Sequence, residues 1–186
     1  MNWRLPVLLL AATMSAACSS AVTGTPSQDS ELPRLPPRPR ELRIDTLDAC
    51  SALTSAQVRS LDLVFYRTVK PGTKRGPGCD WIHSPTEPVE SYSINVNTQG
   101  GVELAFGQPQ LDVISVAGFG AVETPGLLTT GERDCIVSID VAAGQAVQVN
   151  YFYNGSTVPM NHEIACQKAR NAAELAMQTI LARAGG

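Results

Sequence analysis

Residues 89–97, Val-Glu-Ser-Tyr-Ser-Ile-Asn-Val-Asn, alternate in polarity and place Tyr92, Ile94 and Val96 on one side. Successive side chains of a strand point to opposite faces, so a period of two predicts a half-buried antiparallel strand. Residues 135–141 and 146–153 are two further runs rich in β-branched and aromatic residues, and the turn Ala143-Gly144 between them predicts a hairpin. The period then changes. Cys166, Ala169, Ala173, Met177, Ile180 and Ala184 recur at helical spacing, and small residues on such a stripe suit close approach to a sheet. Asn161 is placed to cap this helix, with Glu163 in the first turn where negative charge is favourable.

Earlier in the chain, Thr54 followed by Gln57 has the form of a capping box, and Leu53, Val58 and Leu61 give a short apolar face, which predicts a helix over about residues 54–61. Residues 63–69 have strand composition, residues 71–78 form a Pro- and Gly-rich turn, and residues 79–83 return as a strand. Between 98 and 132 the pattern weakens. Residues 102–106 read as a strand or one helical turn, residues 111–116 as a strand, and Gly118-Phe119-Gly120 and Gly126 as loops. Together these elements predict an α+β domain over residues 46–186. It has an antiparallel sheet of five or more strands, with a short N-terminal helix and a long C-terminal helix packed on one face.

Ahead of that domain the chain is not patterned for folding. Arg4 precedes an apolar run too short to span a bilayer, which needs about 20 residues, and Met14-Ser15-Ala16-Ala17 leads small side chains into Cys18. Residues 1–17 therefore read as a lipoprotein signal peptide, with Cys18 as the first mature residue and acceptor of a diacylglyceryl group. Ser15 stands where an aliphatic residue is usual. Simple secretion, with Cys18 left as a plain cysteine, is the competing reading. Residues 18–45 hold five prolines between Pro26 and Pro39, which remove backbone donors and favour an extended chain. We expect a disordered tether of up to roughly 80 Å at about 3.1 Å per residue. Arg34, Arg38, Arg40 and Arg43 could touch anionic head groups, but a solvated spacer is the simpler reading.

The 186 residues suffice for one core. A net charge of −3, with few basic residues and some of them in the linker, argues against a nucleic-acid partner, which requires a basic face. Five cysteines leave Cys50, Cys79, Cys135 and Cys166 as an even set once Cys18 is lipidated, and in an exported chain that set reads as two disulfides. Three pairings are possible. Cys50 with Cys79 and Cys135 with Cys166 is favoured, because each bond then ties a terminal helix to a strand. Zinc is disfavoured, since no C-x-x-C spacing is present.

Asp48-Ala49-Cys50-Ser51-Ala52-Leu53-Thr54, Gly78-Cys79-Asp80-Trp81, Val116-Ala117-Gly118-Phe119-Gly120, the strand centred on Cys135 and the helix bearing Cys166 occur here in one order. Over residues 45–183, with the processing site and linker, the chain resembles the actinobacterial lipoproteins classed as domain of unknown function 3558. The resemblance implies a cell-envelope location and a compact α+β domain, and it carries over no catalytic residue.

Candidate chemistry is sparse. His83 falls in a strand and His162 beside a helix cap, both ordinary surface or packing positions. No G-x-S-x-G elbow, P-loop or H-E-x-x-H run is present. The acidic pairs Glu132/Asp134 and Glu87/Glu90 read as solvated loop residues, and Asp48 as a turn residue. Trp81, Phe119 and Tyr92 could line an apolar pocket, although so few aromatics belong in the core first. No enzyme, cofactor or metal is expected. The sequence favours a lipoprotein on the extracytoplasmic face of the cell membrane that binds an envelope protein or glycan. The alternative is a carrier or sensor of a lipid or small apolar ligand.

Overall fold

In a computed structural model of the chain, the described residues are 33–72, 76–83, 86, 88–126, 133–155 and 159–185, with Phe65 described by its backbone alone. Cys18, the signal segment, Glu87 and Glu132 lie outside them.

Seven strands form one antiparallel sheet: β1 (Phe65–Val69), β2 (Gly78–Ile82), β3 (Val89–Asn97), β4 (Asp112–Val116), β5 (Phe119–Pro125), β6 (Asp134–Ala142) and β7 (Gln145–Asn154). Their order across the sheet is β1-β2-β3-β7-β6-β5-β4, so the two long strands of polar–apolar alternation, β3 and β7, lie side by side near the middle. Among the described residues there are two α-helices, α1 (Ser55–Ser60) and α2 (His162–Ala184), with short 3-10 turns at Ala49–Ser51 and Val102–Ala105.

Register sorts the side chains onto two unlike faces. Trp81, Tyr92, Tyr151, Cys135 and Pro125 are successive partners across five strands, and Cys79, Ile94, Val149, Val137 and Glu123 form the next row on the same face. The helix α2 lies on this face. Its inward residues include Ala165, Ala169, Ala172, Ala173 and Ala176, all fully buried, and such small side chains let the helix axis sit close to the strands. The opposite face carries the rows Arg67, Asp80, Ser93, Asn150, Ile136, Thr124 and Gly78, Asn95, Gln148, Ser138, Val122. One face is thus an apolar floor for α2 and the other is largely polar.

The disulfides follow from that register. Cys50 bonds Cys79 and Cys135 bonds Cys166, with Cα separations of 4.9 and 5.0 Å. Both strand cysteines point to the helix-bearing face. Cys50 belongs to the 3-10 turn ahead of α1, where the Asp48 carboxylate accepts from its amide at 3.1 Å. The capping box is formed: Thr54 Oγ1 accepts from Gln57 N, and Gln57 Oε1 accepts from Thr54 N. The amide of Gln57 then donates to Leu175 O at 2.9 Å, which seats α1 against α2. At the start of α2, Asn161 accepts from Ile164 N at 2.9 Å.

One open reading is settled and two expectations change. Residues 102–105 are a 3-10 turn, the helical alternative for that stretch. Gly118-Phe119-Gly120 is not one loop. The β4–β5 turn is Ala117-Gly118, both at positive φ, and Phe119-Gly120 already belong to β5. Gly120 sits in the strand because a Cβ there would press on Leu35 and Pro36 at 3.1 Å, so its bare backbone accommodates the incoming chain. The second change is at residue 45. The packed unit starts earlier, since Leu42 and Ile44 are buried, Leu42 N donates to Val141 O at 2.8 Å, and Ile44 N donates to Gln145 Oε1 at 2.9 Å. Arg38 also reaches Asp140 at 3.0 Å.

Candidate functional site

The densest collection of chemically capable side chains lies beneath the first half of α2. On β3, Glu90 and Tyr92 occupy alternate positions and so share a face, and Tyr153 and Tyr151 are their partners on β7. The Tyr92 and Tyr151 rings stand 5.1 Å apart at 60°. Lys168 of α2 descends onto this group, donates to Glu90 Oε1 and holds its ammonium 5.3 Å from the Tyr151 ring centroid, within reach of the electron-rich face. Burial, reinforced by the negative charge of Glu90, pushes the hydroxyl pKa of both Tyr92 and Tyr151 well above the ordinary phenol range. Both phenols are neutral across the physiological range, and the buried Tyr151 hydroxyl has no hydrogen-bond partner.

Glu123 on β5 forms the second half of the cluster. It is only 4% exposed, yet Arg170 of α2 reaches its Oε1 at 3.1 Å, and Arg170 also bonds Glu163 at 2.7 Å. Burial raises the Glu123 pKa above the ordinary carboxylate value, and the Arg170 charge works against that rise. A ligand atom of Glu123 and the sulfurs of Cys135 and Cys166 lie within 4.8 Å of one another. The two sulfurs are joined in a disulfide and are not thiolates, so these three residues do not make a metal centre.

Both halves are clamps. Lys168 to Glu90 and Arg170 to Glu123 are charge pairs that cross from helix to sheet on either side of the Cys135–Cys166 bond. Each of the four ionisable groups is held by an opposite charge. Their chemistry is positional: with the Cys135–Cys166 bond they tie the first half of α2 to the sheet.

Other residues singled out in the sequence are scattered. His83 Nδ1 lies 2.7 Å from Asp62 O at the surface, and His162 opens α2 with Nδ1 3.5 Å from Cys166 Sγ. Asp134 is buried on β6. Trp81 and Tyr92 are cross-strand neighbours, but Phe119 lies on β5, with β3, β7 and β6 between it and Trp81. All three are core residues and they do not line one pocket. Sequence reasoning missed the roles of Lys168, Arg170, Glu90 and Glu123. The signal available was the placing of Lys168 and Arg170 two and four residues after Cys166 on α2, with acidic positions in the strands.

Fold and site define a disulfide-stapled α+β domain with one helix-covered and one polar sheet face. A profile of the family described as Protein of unknown function (DUF3558) matches residues 13–179, and the chain belongs to that family. No curated protein and no solved structure matches it. Among the described residues, no helix is long and apolar enough to cross a membrane.

Proposed function

We propose that the protein is a non-catalytic binding domain of the cell envelope, held on the extracytoplasmic face of the membrane by a lipid on Cys18. One observation carries the binding reading: the reactive-looking side chains beneath α2 are engaged in clamps, while the sheet face opposite is left without a helix. The alanine-lined contact of α2 favours surface binding over a lipid carrier, because small side chains draw the helix onto the strands and leave little room between them. The signal-like segment before Cys18, the proline-rich stretch after it and the two disulfides support export. The test is crosslinking in intact cells followed by recovery of the tagged full-length chain. A reproducible envelope protein or glycan adduct is expected, and adducts at background level overturn the reading. Cys18→Ala is expected to release the protein from the membrane fraction, and a variant that stays membrane-bound overturns the anchor.

A further inference from the structure

The Cys135–Cys166 bond differs from Cys50–Cys79 in what surrounds it. A carboxylate oxygen of Glu123 and both sulfurs lie within 4.8 Å of one another, and among the described residues no second group of this kind forms, at Cys50–Cys79 or elsewhere. Glu123 and Cys135 are diagonal neighbours on the helix-bearing face, since Glu123 pairs with Val137 and Pro125 with Cys135 across β5 and β6. Glu123 is 4% exposed, and while its Oε1 takes Arg170, its Oε2 is buried with no hydrogen-bond partner. A buried oxygen left unpaired is costly, so its presence beside two sulfurs calls for a reason.

A fourth donor comes from α2 itself. His162 and Cys166 are four residues apart, the spacing that puts two helix side chains on one face, and His162 Nδ1 lies 3.5 Å from Cys166 Sγ. Burial raises the Glu123 pKa, and positive charge on Arg170 and then on His162 works against the rise, which places the imidazole within electrostatic reach of the carboxylate. Two sulfurs, one imidazole and one carboxylate are the donors of a closed tetrahedral zinc site, whose ligand atoms stand roughly 3.5–4 Å apart around the ion. The sulfurs of the disulfide are bonded to each other and hold no metal. Opening that single bond completes the set. The charges then balance, two thiolates and Glu123 against Zn²⁺ and the paired Arg170. Magnesium and calcium take oxygen ligands and would find one carboxylate.

We propose that Cys135, Cys166, His162 and Glu123 form a zinc site in the reduced chain, and that oxidation to the disulfide expels the ion. Cysteines are made as thiols and metal binding couples to folding, so the ion loads before the core closes, releasing the two thiol protons. In the folded chain the way in is the first turn of α2, where His162, Glu163 and Ile164 are not buried and fraying uncovers Cys166. Expulsion is exchange with a disulfide oxidant. The two thiolates give up two electrons and join, the S–S bond of the oxidant breaks, its two sulfurs take up two protons, and Zn²⁺ leaves. Either form ties α2 to β6. The site is separate from the binding reading above and stands or falls without it.

The test uses the mature full-length chain, reduced with a phosphine, freed of reductant without oxygen and titrated with Co²⁺ as a spectroscopic substitute for Zn²⁺. A thiolate-to-cobalt charge-transfer band in the near ultraviolet, with the visible bands of tetrahedral cobalt, is expected to saturate at one equivalent, and Zn²⁺ should abolish them. The oxidised chain should show none. Cys50→Ala with Cys79→Ala should keep the bands, and Cys135→Ala with Cys166→Ala should lose them. His162→Ala and Glu123→Gln should each weaken Co²⁺ binding at least about tenfold. If the reduced chain unfolds without metal, Zn²⁺ should restore the near-UV circular dichroism of the parent and not that of His162→Ala. A reduced parent without the charge-transfer band, bands that survive the loss of Cys135 and Cys166, or affinity unchanged in both His162→Ala and Glu123→Gln would overturn the site. Bands in the oxidised chain would overturn its control by oxidation.

Discussion

Arg170 on α2 reaches Glu123 on β5 at 3.1 Å, and this is the one described hydrogen bond to an otherwise buried carboxylate whose second oxygen has none. Removing the cation strands that carboxylate in the core. Arg170→Ala is expected to cost about 1–3 kcal/mol, read as a lowered urea midpoint. Pairing it with Glu123→Leu should recover most of the loss, because the second change removes the stranded group. A double variant no more stable than Arg170→Ala would show that the arginine acts through its packing alone.

The same residue sets a pH dependence. Burial raises the folded pKa of Glu123 above its usual value of 4.5, so the folded state holds this proton more tightly than the unfolded state does. Its contribution therefore favours folding at low pH and is lost as pH rises through the folded pKa. Glu123→Gln should be more stable than the parent at neutral pH, and the difference should close as the pH falls toward 4.5. Melting temperatures of both proteins across that range provide the check. A gap that widens on acidification would contradict the burial argument.

Tyrosines beneath α2 act in the alkaline range with the same sign. Burial and Glu90 raise Tyr92 and Tyr151 above the ordinary value of 10.0, so the unfolded chain loses these protons first. Stability should fall as the pH climbs past about 10, and Tyr151→Phe should blunt that fall. Alkaline titration of unfolding, followed by tyrosinate absorbance, distinguishes the two proteins.

Much of this architecture was legible because local patterns and tertiary structure agree. The alternation of residues 89–97 is β3, the Asn161 cap starts α2, and the favoured cysteine pairing is the one present. Strand β5 was obscured by glycines. Gly118 forms the turn and Gly120 makes room for Leu35 and Pro36, and sequence alone does not separate these roles. The clamps were illegible for a different reason. Glu123 and Arg170 are 47 residues apart, and only the register of β5 against β6, together with the seating of α2, brings them together. The polar face follows from the same strand periods that give the core, but burial of Asn95 depends on the missing side chain of Gly78 on another strand.

The two disulfides close loops of similar length, with sequence separations of 29 and 31. Chain entropy assigns each roughly 3.5–4 kcal/mol. Cys50→Ala with Cys79→Ala should lose about that much, measured by urea unfolding. The Cys135→Ala, Cys166→Ala pair should lose at least as much, because it also frees the helix segment carrying Lys168 and Arg170. Equal unfolding midpoints for parent and either double variant would refute a stabilising role.

At the β4–β5 turn, Ala117 has φ of 49° and precedes Gly118 at 82°. A two-residue hairpin loop with both residues at positive φ favours Asn-Gly, and alanine there is strained by about 1 kcal/mol. Ala117 N donates to Glu174 of α2 at 3.0 Å, so the turn conformation is also fixed from outside. Ala117→Asn retains that backbone donor and relieves the strain. It is expected to raise stability by roughly 0.5–1 kcal/mol, visible as a higher melting temperature.

The segment before residue 46 gives the last prediction. Glu41-Leu42-Arg43-Ile44-Asp45 alternates with period two, and the apolar positions are the buried ones. The proline-rich composition just ahead hides this short pattern. Leu42 N bonds Val141 O, Ile44 N bonds Gln145 Oε1, and Gln145 in turn donates to Asp45 at 2.8 Å, so the segment ties down the β6–β7 turn. Ile44→Ala should cost about 2–4 kcal/mol. A chain beginning at residue 46 should lose more and expose the β6–β7 turn to proteolysis, whereas one beginning at residue 33 should match the parent in melting temperature. Equal stability of the 33- and 46-start chains would return residues 33–45 to the tether.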